Sequence, residues 1–257
     1  MTPETFQVAL RRRLRLRLPI GSYRCPGSTC GRQLDVLGDH LASCPCTGGP
    51  QRRAKPLEKA WQRVFREAGG RVVPQPMLRD LDLGVDPLDT RRVDLIARGL
   101  PLFGGIPVCG DASLVAPLHG DGTPWGRAAT HDGVGMERAR QLHEDRYPEL
   151  LSGDRGRLVV LGTETGGRWA PEALTILRNL AEAKSRASPE LLRRSAHVVW
   201  YQRWIRMLSV AAQTALVETL LRPSSPHLTE LDGHTPDLAD VLCVDRESPA
   251  FSRLPPR

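Results

Sequence analysis

The sequence predicts an α/β protein: three or four strands in a mixed sheet flanked by helices, preceded by a small N-terminal zinc module and followed by a C-terminal helical extension. Three observations predict it. Short apolar runs of strand length alternate with runs of helical spacing between Pro56 and Thr163. Four of the six cysteines crowd residues 25–46, and two long runs of helix formers follow Gly166-Gly167. The 257 residues suffice for one core with a satellite. A composition 40% hydrophobic and 25% charged excludes a disordered tail, a collagen-like chain and a coiled-coil rod. No run approaches the roughly 20 uninterrupted apolar residues of a membrane span, and arginines occupy the N-terminal stretch where a signal peptide needs an apolar centre. An intracellular protein without a membrane partner is therefore expected.

Taken in order, residues 5–18 read as a short basic helix closed by Pro19, or as an edge strand, because Arg11, Arg12, Arg13, Arg15 and Arg17 alternate with leucine over part of the run. In either form these arginines are the best phosphate-contact candidates, set against a merely solvated positive face. Residues 21–50 have too few large apolar groups to hold together without a staple. From Pro56 to Ala68, Leu57, Ala60, Trp61, Val64 and Phe65 fall on one helical face, and Gly69-Gly70 stops the helix. Strands are expected at Arg71–Val73, Arg92–Ala97 and Ile106–Val115, with a proline-bearing loop at 74–90 and a surface loop at 116–133. A helix follows from Val134 to Tyr147, ended by Pro148, and then a buried strand at Arg157–Thr163. Two helices start at Pro171 and Pro189, the second running to Leu221, and each places proline at its first position. The organisation expected is a basic segment 1–20, a zinc module 21–50, a core 51–170, C-terminal helices 171–222 and a flexible tail 223–257.

Charge points to a polyanionic partner: 36 basic against 29 acidic residues give +7. Only Lys55, Lys59 and Lys184 are lysines, and the predominance of arginine suits forked phosphate contacts.

Cys25-x4-Cys30-x9-His40-x3-Cys44 sets a soft pair, a loop, and then a His and a Cys one helical turn apart, a spacing that closes a tetrahedron around zinc. Cys46 competes with Cys44 for the fourth position. Four protein ligands make such a site closed and structural.

The elements after it run helix, strand, strand, strand, helix, strand, with Asp94 in RRVDL and Asp111 in VCGDASLVAP on the second and third strands. Two carboxylates on adjacent strands can bind one or two magnesium ions that polarise a phosphodiester and activate water. Glu58 on the first helix is a third candidate acid. Glu164 could join the site, but a turn residue facing water is the better reading. Trp200, Tyr201 and Trp204 read as core or helix-pairing residues rather than as base-stacking platforms.

This order of motifs resembles the C-terminal region of non-LTR retrotransposon polyproteins of the restriction-like-endonuclease type. There a Cys-Cys-His-Cys knuckle precedes an Arg-His-Asn-like motif and a PD-(D/E)xK nuclease. Cys25, Cys30, His40 and Cys44 match the knuckle, and Arg53 stands at the arginine of the second motif, followed by Ala54 and Lys55 instead of His-Asn. Val93-Asp94 replaces Pro-Asp, and Asp111 takes the place of the Asp-Val-Thr-Val aspartate. The family's Lys-x-x-Lys-Tyr appears as His143-Glu144-Asp145-Arg146-Tyr147, so both lysines are lost and the tyrosine remains.

The resemblance covers about residues 10–220 and implies a PD-(D/E)xK restriction-endonuclease-like core. It implies Asp94, Asp111 and Arg146 as catalytic residues, with Glu58, His143 and Tyr147 as additional candidates. Arg53 joins Arg11–Arg17 as a nucleic-acid contact, zinc is structural, and Mg or Mn is catalytic. Partners implied are DNA, RNA as a second nucleic acid, and a reverse transcriptase encoded elsewhere, with a nuclear location. Because Ser113 stands where such enzymes carry lysine, two after Asp111, a catalytically degenerate nucleic-acid-binding remnant is the alternative to an active endonuclease.

Overall fold

The structure, a computed structural model, describes residues 1–20, 24–27, 29–47, 54–119, 121–151, 153 and 155–221; Arg53 and the expected tail 223–257 lie outside the described residues. Six helices, α1 (Pro3–Arg13), α2 (Asp39–Ser43), α3 (Lys55–Glu67), α4 (Val134–Arg146), α5 (Pro171–Ser185) and α6 (Arg193–Leu221), accompany four strands among these residues. The strands β1 (Arg71–Pro74), β2 (Leu95–Arg98), β3 (Val108–Val115) and β4 (Arg157–Glu164) form one sheet in the order β1-β2-β3-β4. The first three make an antiparallel meander, and β4 runs parallel to β3. A parallel neighbour demands a crossover, and the chain carrying α4 supplies it.

Strand alternation divides the apolar residues between two faces. Leu95, Ala97, Val108, Ala112, Leu114, Val159 and Leu161 join Trp61 and Phe65 of α3, Ile176 and Leu180 of α5, and Trp204, Leu208 and Leu216 of α6 in the main core. Ile96, Cys109 and Leu158 face the other way, into a smaller cluster with Leu78, Tyr147 and Leu150. The sheet is thus covered on both faces, as a sheet with a buried parallel pair requires. At Gly110 a Cβ would come 2.7 Å from Leu161 Cδ1 and 3.0 Å from Leu95 Cδ1, so glycine lets both neighbouring strands close over β3 beside Asp111.

Three sequence expectations change. The helix at the N-terminus ends at Arg13, before Pro19: Arg15 adopts a left-handed φ of 56° and Leu16 N–H donates to the Arg11 carbonyl at 2.8 Å, a Schellman-type stop. The helix expected from Pro189 begins at Arg193, after a single 3-10 turn at Glu190–Leu192. The helices after residue 170 are not appended to the core but complete it. Trp204 is fully buried in that core, its Nε1 donates to Glu67 Oε2 at 3.0 Å, and Arg203 pairs with Glu67 Oε1 at 2.8 Å. Leu41 and Ala42 of α2 enter the same core, and Leu220 of α6 lies against Gly38. Cysteine-rich segment, sheet and C-terminal helices therefore fold around one interior. No helix among the described residues is long and apolar enough to cross a membrane.

Candidate metal centres

The cysteine-rich segment is built by a turn followed by a short helix. Arg24 pairs with Gln33 across an antiparallel bridge, Cys25 N–H donates to the Arg32 carbonyl at 2.7 Å, and Cys30 N–H donates to Gly27 at 3.0 Å, which turns both sulfurs to one side. Asp35 caps α2, accepting from the N–H groups of Leu37 (3.0 Å), Asp39 (2.9 Å) and His40 (2.8 Å). Burial raises the Asp35 carboxyl, but these N–H groups outweigh it and hold it below the usual range.

With α2 fixed, the ligand atoms of Cys25, Cys30, His40 and Cys44 all lie within 4.8 Å of one another. Cys25 Sγ and Cys44 Sγ are 3.7 Å apart, and Cys30 Sγ is 3.4 Å from His40 Nε2. Two sulfurs each about 2.3 Å from a tetrahedral ion stand about 3.8 Å apart, so the spacing fits. Three sulfurs and an imidazole can hold a metal ion here. Cys44, not Cys46, completes the group, which resolves the competition left open by the sequence.

The arginines of the basic segment beside it differ in what they touch. Arg12 Nη2 and Arg15 Nη1 pair with Asp39 at 3.0 and 3.1 Å, and Arg12 Nη1 also donates to the Leu37 carbonyl at 2.5 Å. The Arg12 side chain keeps 13% of its exposure. Arg11 bonds back to the Arg17 carbonyl at 3.2 Å, Arg13 reaches the Gly166 carbonyl at 2.9 Å, and the Arg17 side is open to solvent. Arg12 is thus a tether between α1 and α2 before it is anything else.

The acidic residues meet at the start of β2. Leu95 pairs with Gly110, so Asp94 stands opposite Asp111 one step further on, and opposed residues of an antiparallel pair share a face. Asp94 Oδ2 accepts from Ala112 N–H at 2.8 Å. Burial, then the Asp111 charge, then Glu58 beyond the offsetting Ala112 bond, push the Asp94 carboxyl up. Burial likewise raises Asp111, against the Arg146 charge and the Tyr147 hydroxyl, with Glu58 adding to the rise. Glu58, buried on α3, is held by Lys55 Nζ at 2.7 Å and by Gln62 Nε2 at 3.0 Å.

From α4 come the remaining candidates. His143 Nδ1 lies 3.4 Å from Asp111 Oδ2 without hydrogen-bond geometry, and its Nε2 lies 2.8 Å from Ser113 Oγ. Its ring stacks parallel to that of Tyr147, with centroids 6.3 Å apart. The Tyr147 hydroxyl donates to the Arg92 carbonyl at 2.5 Å, tying the segment that leads into β2 to the end of α4. The Arg146 guanidinium sits 5.3 Å above the Tyr147 ring, near enough for its charge to favour the Asp111 carboxylate.

The structure therefore gathers Asp94, Asp111, Glu58, His143, Arg146 and Tyr147 about one place. It also adds two residues that sequence reasoning passed over. Lys55 opens α3, and its charge helps hold Asp94 ionised; the signal available was its i,i+3 spacing to Glu58. Ser113 was noticed only as a missing lysine. Among the described residues, the Cys/His group alone brings three or more ligand side chains onto one ion-sized volume.

Glu164 departs from its expectation as well: it is buried rather than facing water, contacts the backbone N–H of Gly135 at the start of α4, and lies 3.6 Å from Arg168 Nε. It fixes the crossover helix and stands apart from the acidic pair. Comparison with known protein families and with curated proteins finds no match.

Proposed function

We propose that this protein is a metal-dependent DNA endonuclease with a restriction-endonuclease-like core and a structural zinc module, related to the C-terminal region of non-LTR retrotransposon polyproteins. The observation that carries the reading is the opposed pair Asp94–Asp111. Two carboxylates kept partly desolvated on one face, at a cost in stability, beside a lysine, an arginine and a third acid are an arrangement that folding alone does not call for. The order helix, three-strand meander, helix, parallel strand supports the core assignment.

Asp94 and Asp111 would hold a divalent cation, Mg or Mn, whose chemistry would be Lewis acidity toward the phosphate and the attacking water. The chain's own groups do the rest. Glu58 orients the Lys55 ammonium, which stabilises charge developing on the scissile phosphate. Arg146 adds a second fixed positive charge, and being permanently protonated it takes no part as a base. Tyr147 holds the Arg92 backbone and with it the approach to Asp94. Cys25, Cys30, His40 and Cys44 would hold a zinc that would fix α2 against α6, and the exposed arginines meet the DNA backbone. Such a protein works in the nucleus with a reverse transcriptase encoded elsewhere, and RNA of the element is a second nucleic-acid partner.

Two observations favour the binding-remnant reading: Ser113 occupies the strand position of the usual lysine, and both Glu58 oxygens are already engaged. Nicking of supercoiled plasmid with Mg²⁺ or Mn²⁺ decides. Cleavage lost in Asp94→Asn and Asp111→Asn establishes the endonuclease. DNA binding without cleavage in the unaltered protein establishes the remnant.

A further inference from the structure

We propose that Ser113 is the nucleophile of this site: activated by His143, which Asp111 orients, its Oγ attacks the scissile DNA phosphodiester and holds one cut end on the protein as a phosphoserine. The inference rests on the endonuclease reading and changes its nucleophile from water to serine. Ser113 Oγ lies 2.8 Å from His143 Nε2, and His143 Nδ1 faces Asp111 Oδ2 at 3.4 Å. A carboxylate opposite Nδ1 favours the tautomer that carries its proton there, which leaves Nε2 to accept the Ser113 hydroxyl proton. A serine bonded to a base that a third group orients is an activated serine, whatever the order of the three along the chain. The 3.4 Å contact is longer than a hydrogen bond, as such contacts often are before substrate tightens them.

The fold builds this row of groups. Ser113 and Asp111 stand two residues apart on β3 and project from one face. Beside Ser113 on β4 is Gly162, where a Cβ would come 2.8 Å from Met136 Sδ; glycine there lets α4 settle on the sheet and bring His143 to the serine. Asp111 is buried, whereas Ser113 and His143 are only half-buried, so the acid is covered while serine and base stay within reach of a substrate. The Tyr147 ring lies parallel to His143 and carries the Arg146 guanidinium 5.3 Å from its centroid, a fixed positive charge for a phosphate. A carboxylate has four lone-pair positions, so Asp111 can orient the ring and still share a cation with Asp94. In the step itself the Oγ–phosphorus bond forms as the bond from phosphorus to the leaving deoxyribose oxygen breaks. The hydroxyl proton passes to Nε2 and on to that oxygen, which departs as a free hydroxyl. Reversal rejoins the strand; attack of water on the phosphoserine, its proton passing through Nε2 to Oγ, releases a phosphate end.

The test uses the full-length, zinc-loaded protein and two probes: a fluorophosphonate, which phosphonylates activated serines with loss of fluoride, and supercoiled plasmid. The unaltered protein should take one phosphonyl group, mapped to Ser113 by peptide mass spectrometry, and should yield nicked plasmid linked to protein that denaturant does not release. His143→Gln should slow labelling by about 10²-fold or more. Asp111→Asn should slow it comparably without weakening DNA binding, a split that a merely structural carboxylate would not give. Ser113→Ala, its folding checked by zinc content and thermal midpoint, should lose the label and the linked DNA together. Nicking that leaves only free ends and persists in Ser113→Ala overturns the serine nucleophile and leaves a water-driven endonuclease standing. A label on Ser113 with no plasmid cut overturns the DNA substrate and the endonuclease reading with it. Absence of both label and cleavage in the unaltered protein removes both readings.

Discussion

Asp94 faces Asp111 directly across the end of the β2–β3 ladder, with Asp94 Oδ2 pinned by the Ala112 N–H at 2.8 Å. Burial, reinforced at Asp94 by the Asp111 charge, pushes both carboxyls up to about 6. Near neutral pH the fold thus carries two carboxylates that it would hold more easily protonated.

This sets a pH dependence with a definite sign. Below about pH 4 both groups are protonated folded or unfolded. As pH rises toward about 6 the unfolded chain releases these protons first, so folded stability falls, and above that range the penalty is complete. Asp111→Asn should therefore be more stable than the unaltered protein at pH 7.5, by on the order of 2 kcal/mol, and the gap should close toward pH 4. Urea denaturation at several pH values measures it; a gap independent of pH would refute the argument.

Lys55 carries the second prediction. If its ammonium stabilises charge on the phosphate, Lys55→Ala should slow nicking by about 10²-fold and Lys55→Arg should retain part of the rate, with DNA affinity unchanged in both. A loss of binding in parallel with the loss of rate would make Lys55 a mere phosphate anchor.

Much of this was legible in the sequence, and the failures have physical causes. Cys25, Cys30, His40 and Cys44 were readable because ligand spacing is local. Asp94 and Asp111 were readable as acids on adjacent strands; that they share a face rests on the register that sets Leu95 opposite Gly110, which alternation within either strand does not fix. Lys55 was not, since i,i+3 spacing says that it meets Glu58 but not that Glu58 points at the sheet. The pairing of Arg12 with Asp39, 27 residues away, was not readable because tertiary folding alone brings the two together. The packing of α6 was readable at Trp204, which enters the core with Trp200 and Tyr201 packed against it; Val198, Val199 and Val210 stay exposed and blur the rest of its apolar stripe.

The metal site of the cysteine segment yields a third prediction, which also separates Cys44 from Cys46. The purified protein should contain one zinc by elemental analysis. Cys44→Ser should lose it and lower the thermal midpoint of the whole chain, because Leu41 and Ala42 belong to the common core. Cys46→Ser should keep its zinc. Equal loss in both variants would move the fourth ligand.

The last prediction divides the N-terminal arginines by what they touch. Arg12 and Asp39 keep 13% and 11% of their side-chain exposure, so removing the arginine strands a largely desolvated carboxylate; only Arg15, itself 60% exposed, remains to offset it. Arg12→Ala should therefore destabilise the fold by about 2–3 kcal/mol, somewhat below the range for a fully buried pair. Arg13 and Arg17 lie open to solvent, and among the described residues Arg13 donates to the Gly166 carbonyl. Their alanine variants should change stability by no more than about 0.5 kcal/mol. Each that contacts a phosphate should instead weaken DNA binding and reduce the slope of log affinity against log salt by about 1. Denaturation midpoints and salt-dependent fluorescence anisotropy on the same set of variants read the two effects separately. A salt slope that Arg13→Ala and Arg17→Ala both leave untouched would move the nucleic-acid surface away from α1 and onto the sheet end that holds Lys55 and Arg146.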